Sequence, residues 1–278
     1  MTTTGTEPVT IDAAGLTDIG RVRETNEDHF VVATVSKSVA VDASSLPGTT
    51  LAGRLGTAGA RLFAVADGVG GRPGGELASE WTVTALLDYV GHTAECFQGL
   101  DPAREHELLD RLEATIRSVH ERLLGETRGP VERVPATTIT MVLLAWPRAY
   151  WVHVGDSRLY VSRRGRLQRV TRDQTVGDYM VSVGAWTEAQ AARPGPAAAL
   201  ASAVGGSDLL PAVGLIDLEA GDALLLCTDG LHKHVPDERI AALLAQPDSA
   251  AATCRALVDL ALAGGGTDNV TVIVVKTT

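Results

Sequence analysis

Apolar positions along this chain follow two rhythms, and each predicts a different kind of element. Short, nearly continuous apolar runs at 31–41, 61–66, 138–146, 149–154, 158–162, 223–227 and 270–275 read as strands, the 223–227 run being apolar throughout. Leu77, Trp81 and Ala85, and then Leu109, Leu112, Ile116, Val119 and Leu123, recur at helical spacing and predict two amphipathic helices joined by a turn at 99–102. Further helices are expected over 237–244 and 250–263, the second ended by the glycine run 264–266. Pro147 breaks the strand pair in 138–154 and Gly155 turns the chain into the next strand, which makes this stretch an antiparallel meander. Residues 42–59, bearing Ser, Pro and Gly, read as an inserted surface loop. The Ala-, Gly- and Pro-rich 171–206, with a short helix near 178–183, reads as a mobile flap. Strands in runs and helices in pairs point to an α+β layered fold, in a single domain over 13–278 behind a flexible tail over 1–12, without internal repeats.

Composition narrows this picture by exclusion. With 278 residues, 45% hydrophobic and 21% charged, the chain reads as a folded, water-soluble protein with one sizeable core. A formal net charge of -10 argues against nucleic acid or an anionic membrane as the main partner, since both need a basic footprint. Cys96, Cys227 and Cys254 are far apart and form no CxxC pair, so no disulfide framework or zinc knuckle is expected, and a reducing cytoplasm is the natural compartment. Residues 1–9 lack the regions of a signal peptide, and no apolar run reaches the roughly 18 residues of a membrane span.

Candidate chemistry lies at the ends of the apolar runs. Five aspartates, Asp28, Asp67, Asp156, Asp229 and Asp268, each stand in a short polar motif beside such a run. Acidic oxygens brought together at strand ends are how a chain holds hard divalent cations such as Mg²⁺ or Mn²⁺. Twice, at Asp67-Gly68 and Asp229-Gly230, an apolar strand ends in Asp-Gly, where glycine lets the backbone carbonyl come close to an ion. One such pair alone is usually a plain turn. The remaining motifs are Asn26-Glu27-Asp28, Gly155-Asp156-Ser157-Arg158 and Gly266-Thr267-Asp268-Asn269. In the glycine-rich 68–75 segment Pro73 takes the third glycine position of a dinucleotide fingerprint, so this reads as a tight turn feeding a helix. His232 and His234 are a poor zinc pair, and Cys227, within an apolar strand, reads as inert core. No Gly-x-Ser-x-Gly elbow, Walker loop or thiol-phosphatase loop occurs.

Together these motifs, in this order over 18–276, resemble the metal-dependent type 2C protein serine/threonine phosphatases, especially their compact bacterial members. The resemblance implies a four-layer α-β-β-α sandwich, two central antiparallel sheets flanked by helices, with a pair of Mn²⁺ or Mg²⁺ ions in a cleft at one end. It implies that Asp67 bridges both ions and that Asp229 and Asp268 complete the first site. Glu27 and Asp28 would serve the second, Gly68 would lend a carbonyl, and Asn269 would support the site from beside Asp268. Arg23, five residues before Asp28, matches the arginine that grips substrate phosphate, a task suited to a guanidinium fork. Outside the motif it would read as a solvated side chain. The implied reaction is hydrolysis of phosphoserine or phosphothreonine in phosphorylated proteins, substrates of a serine/threonine kinase, by a metal-activated water without a covalent intermediate. A monomer is the expectation.

Three departures from the family pattern stand out. Arg72 takes the place of a histidine that many relatives offer as proton donor to the leaving alcohol, and arginine cannot donate that proton near neutral pH. Water or another group must then supply the proton, or Arg72 acts only on the phosphate, and the general acid stays unassigned. Lys233 stands where bacterial relatives often carry an aspartate that helps Asp156 and Asp229 to bind a third metal. Its ammonium either replaces part of that cation, leaving the third site weak or absent, or points to solvent. Residues 192–204 of the flap are small and apolar where relatives often place His and Arg. Two competing readings remain: a catalytically silent phosphoprotein-binding module on the same fold, and a hydrolase of small phosphate monoesters.

Overall fold

The computed structural model describes residues 9–37, 58–69, 74–93, 102–126, 134–191 and 195–278. In chain order the strands are β1 (Ile11–Asp18), β2 (Asp28–Lys37), β3 (Ala58–Asp67), β4 (Ile139–Ala145), β5 (Arg148–Val154), β6 (Arg158–Arg163), β7 (Arg166–Arg169), β8 (Ala212–Asp217), β9 (Ala223–Cys227) and β10 (Val270–Thr277). The helices are α1 (Gly75–Thr93), α2 (Pro102–Glu126), α3 (Val176–Ser182), α4 (Glu188–Ala191), α5 (Asp229–His232), α6 (Asp237–Leu244) and α7 (Ala250–Ala263). The strands form two antiparallel five-stranded sheets, ordered β1-β10-β9-β6-β7 and β2-β3-β4-β5-β8.

The alternation of side chains along each strand separates three cores. On β10, Val272 and Val274 face the helix side with Leu257 and Val258 of α7, while Ile273 and Val275 face the other sheet. On β3, Leu62, Ala64 and Ala66 join α1 and α2, while Phe63 and Val65 enter the inter-sheet core with Leu224 and Leu226 of β9. Both faces of these strands are covered, so their sequences are apolar without a break. The layers run helices, sheet, sheet, helices, the expected α-β-β-α sandwich.

Several expectations need correction. Ile11 and Asp12, placed in the tail, open β1, a strand that periodicity did not reveal. The edge strands β7 and β8 were not foreseen either. The flap helix begins at Val176 and ends at Ser182, two residues earlier than expected at its start, with Thr175 capping it. Residues 38–57, with most of the expected insertion, lie outside the described residues, as do 70–73, 94–101 and 192–194. Arg72 and Cys96 are therefore not placed.

Candidate active site

Antiparallel pairing gathers the motifs at one end of the sandwich. Asp28 opens β2 directly opposite Asp67, the last residue of β3. In the other sheet Cys227 pairs with Val272, so Asp229 and Asp268 project just beyond the ends of β9 and β10. Asp156 lies in the turn between β5 and β6, next to the Ile139–Val154 end of the β4–β5 ladder.

Hydroxyl groups hold this end together. Asp28 is buried, and its Oδ2 accepts from Thr228 Oγ1 at 2.8 Å and Thr271 Oγ1 at 2.7 Å, joining the two sheets across the site. Burial, only partly offset by these hydroxyls, raises the Asp28 carboxyl to about 7. Asp67 is fixed through its backbone: its N–H donates to Thr138 Oγ1 at 3.1 Å, and its carbonyl accepts from Thr138 N and Thr137 Oγ1, each at 2.9 Å. Its carboxyl is pushed well above the usual range, first by burial and then by the charges of Asp28, Asp229 and Asp156. Burial and the neighbouring Asp229 lift Asp156 to about 8. A cluster of acids that raise one another's pKa in this way is a site built for positive charge.

Asn269 organises the loop that carries Arg23 and Glu27. Its Oδ1 accepts from Glu27 N at 2.9 Å, and its Nδ2 donates to the carbonyls of Ile19 and Thr25, each at 2.9 Å. Gly68 is required sterically, since a Cβ there would sit 2.6 Å from the Gly75 carbonyl carbon and 2.8 Å from Glu27 Cβ. Glu27 lies against that turn, its carboxyl raised by burial.

The structure thus brings Arg23, Glu27, Asp28, Asp67, Gly68, Asp156, Asp229, Lys233, Asp268 and Asn269 to one end. Lys233 does not point away: its Nζ pairs with Asp229 Oδ2 and lies 3.0 Å from Asp268 Oδ2. Arg23 Nε pairs with the other Asp268 oxygen at 2.7 Å. His232 and His234 diverge, His232 Nε2 donating to the Asp156 carbonyl at 3.1 Å and His234 Nε2 meeting Thr267 Oγ1 at 2.9 Å. Thr137, Thr138, Thr228 and Thr271 are the functional neighbours that sequence reasoning missed. The signal available was a threonine directly beside the acid motif, as in Thr228-Asp229.

The donors suit a hard cation, being carboxylate and backbone oxygens, and Asp28 Oδ1 and Asp229 Oδ1 are buried without any hydrogen-bond partner. Among the described residues, however, no three His, Cys, Asp or Glu side chains close into a ready cage. Ammonium and guanidinium groups instead occupy the oxygens of Asp268 and one oxygen of Asp229.

The sequence matches the family model of protein phosphatase 2C over residues 52–261. The serine/threonine protein phosphatase PstP of Mycobacterium tuberculosis is 38% identical over 218 residues, 78% of this chain and 40% of the relative, so the chain spans less than half the length of that relative. Among solved structures, the S. agalactiae serine/threonine phosphatase superposes with a TM-score of 0.78 at 27% identity, covering 96% of this chain and 99% of that one. The catalytic domain of PstP in complex with two manganese ions superposes with a TM-score of 0.70 at 29% identity, covering 98% of this chain and 100% of that one. Sandwich topology, acid placement and these likenesses agree, and the chain belongs to the protein phosphatase 2C family.

Proposed function

We propose that this chain is a divalent-metal-dependent phosphatase that hydrolyses phosphoserine and phosphothreonine in proteins. The observation that carries this reading is the convergence of Asp28, Asp67, Asp229 and Asp268 at one sandwich end, with two of their buried oxygens unpartnered. A pair of Mn²⁺ or Mg²⁺ ions bound there would supply charge neutralisation and an activated water. Asp67 lies centrally among the acids and is assigned to both ions, Asp229 and Asp268 to the first, and Asp28 with Glu27 to the second, with the Gly68 carbonyl adding a ligand. Asp156 is left for a third ion, expected to be weak or absent. Arg23, with a 40% exposed side chain beside Asp268, orients the phosphate by its guanidinium fork, and Asn269 keeps its loop in place. Because water attacks phosphorus directly, no side chain need become phosphorylated. Phosphorylated proteins of a serine/threonine kinase are the proposed partners.

The pairing of Lys233 with Asp229 and Asp268 favours one rival, a silent phosphoprotein-binding module. A p-nitrophenyl phosphate assay with Mn²⁺, with and without chelator, separates the two. Metal-dependent turnover that disappears in Asp67→Asn is expected, and absence of turnover at saturating Mn²⁺ supports the binding module. Phosphopeptides then separate protein substrates from small monoesters: turnover of p-nitrophenyl phosphate without any phosphopeptide hydrolysis contradicts the protein reading.

A further inference from the structure

Lys233 sits at the C-terminal end of α5, one helical turn after Asp229, and the turn carries its ammonium back onto that carboxylate. The same ammonium reaches Asp268, whose second oxygen is taken by Arg23. Among the described residues Asp156 has no ion pair with it; the contact is with the two acids assigned to the first metal. Among the described residues, Asp229 Oδ1 and the carboxylates of Asp28, Asp67 and Asp156 keep oxygens without an ion-pair partner. The Lys233 side chain is 44% exposed, so solvent reaches it and rotation of the side chain can carry the ammonium off the acids without disturbing the fold. Arg23, by contrast, belongs to a loop pinned by Asn269.

Resting on the metal-dependent reading above, we propose that Lys233 is a tethered counter-cation that competes with the divalent ion for Asp229 and Asp268. It neutralises the acids when metal is scarce and must swing out for the first site to fill. An ammonium and a divalent ion held on the same pair of carboxylates repel each other at close range, so occupation by one disfavours the other. The metal-free protein is thereby spared part of the repulsion among its buried acids, and metal affinity is lowered in return. A substitute for a third ion would bridge Asp156 and Asp229, whereas this ammonium bridges Asp229 and Asp268.

The test reads binding and stability rather than turnover. Mn²⁺ titration calorimetry on Lys233→Met should show affinity about tenfold tighter than wild type, as expected for removing a partly exposed cation held by two acids. In chelator the same variant should melt below wild type, and saturating Mn²⁺ should raise its melting temperature by more than it raises that of wild type. Lys233→Arg, which keeps the charge, should stay close to wild type in both measurements. Lys233→Gln serves as a second neutral variant if Lys233→Met does not fold. Equal or weaker Mn²⁺ binding in the neutral variant overturns the proposal, as does a melting temperature that falls equally with and without Mn²⁺. Tighter binding without turnover in any of these proteins would count against the phosphatase reading and leave the competition standing.

Discussion

Gly230 shows how little room the site leaves at single positions. A Cβ there would overlap the Asn269 carbonyl oxygen, because the first turn of α5 packs directly on the backbone that presents Asp268. Gly230→Ala is expected to cost about 3 kcal/mol in urea unfolding, since backbone must give way, and to weaken Mn²⁺ binding with it. His153 makes a prediction about pH. It is fully buried beside Thr140, its Nε2–H donating to the Arg172 carbonyl, and burial pushes its pKa down to about 4. The unfolded chain binds this proton near pH 6.5, so the folded state holds fewer protons between those values. The contribution of neutral His153 is therefore fully present above about pH 6.5 and is lost progressively as pH falls toward 4, up to about 3 kcal/mol. His153→Gln should flatten the stability profile across that window, and an unchanged slope in pH-dependent urea midpoints rejects the assignment. The acids and glycines of the site were legible because their chemistry is local. The threonines that hold them were not, because Thr228 and Thr271 meet Asp28 only after the two sheets pack, across sequence gaps of 200 and 243 residues.

At the scale of elements, legibility followed local pattern and failed where a neighbour's side chain set the sequence. β9 and β10 are apolar on both faces and announce themselves. β1 and β8 each carry a glycine that local reading counts against a strand, yet Gly15 lies under the Phe30 ring and Gly214 under the Trp151 ring, where a Cβ would collide. Strand propensity here is a matter of fit to a neighbouring strand, in the facing sheet for Gly15 and in the same sheet for Gly214, invisible until the sheets are assembled. Helix α1 was found from its periodicity, but not its attachment. Ser79, completely buried, lies 2.7 Å from the Glu27 carbonyl and 2.9 Å from His29 Nδ1, tying the helix to the start of β2. Ser79→Ala leaves that buried carbonyl without its side-chain donor and should destabilise by about 1–3 kcal/mol. Because Glu27 and Asp28 belong to the same tie, its Mn²⁺ affinity should fall too; a variant that loses stability but binds Mn²⁺ as wild type would show that the helix is not needed to place them.

Across the whole molecule, the N-terminal strand closes the sheet that the C-terminal strand completes. β1 pairs with β10 along its full length, from Ile11 opposite Thr277 to Asp18 opposite Val270, and Thr10 and Thr278 exchange backbone hydrogen bonds beyond it. Ala14 and Leu16 pack on the α7 side of that sheet, and the Ala14 carbonyl accepts from Cys254 Sγ at 3.3 Å. The strand also launches the site loop: Asp18 Oδ1 accepts from Gly20 N at 2.8 Å, and Arg21 N then donates to the Gly266 carbonyl at 2.7 Å, just before Asp268. Removing residues 1–18 would bare the apolar edge of β10 and free the loop bearing Arg23 and Glu27, so the truncated protein is expected to aggregate. Ala14→Asp tests the same point without shortening the chain. A carboxylate among partly buried apolar neighbours should cost about 2–3 kcal/mol and lower the urea midpoint together with Mn²⁺ affinity. If residues 11–18 acted only as a tail, both proteins would keep the wild-type midpoint and remain monodisperse in light scattering, and the role of β1 in joining chain closure to the site would be refuted.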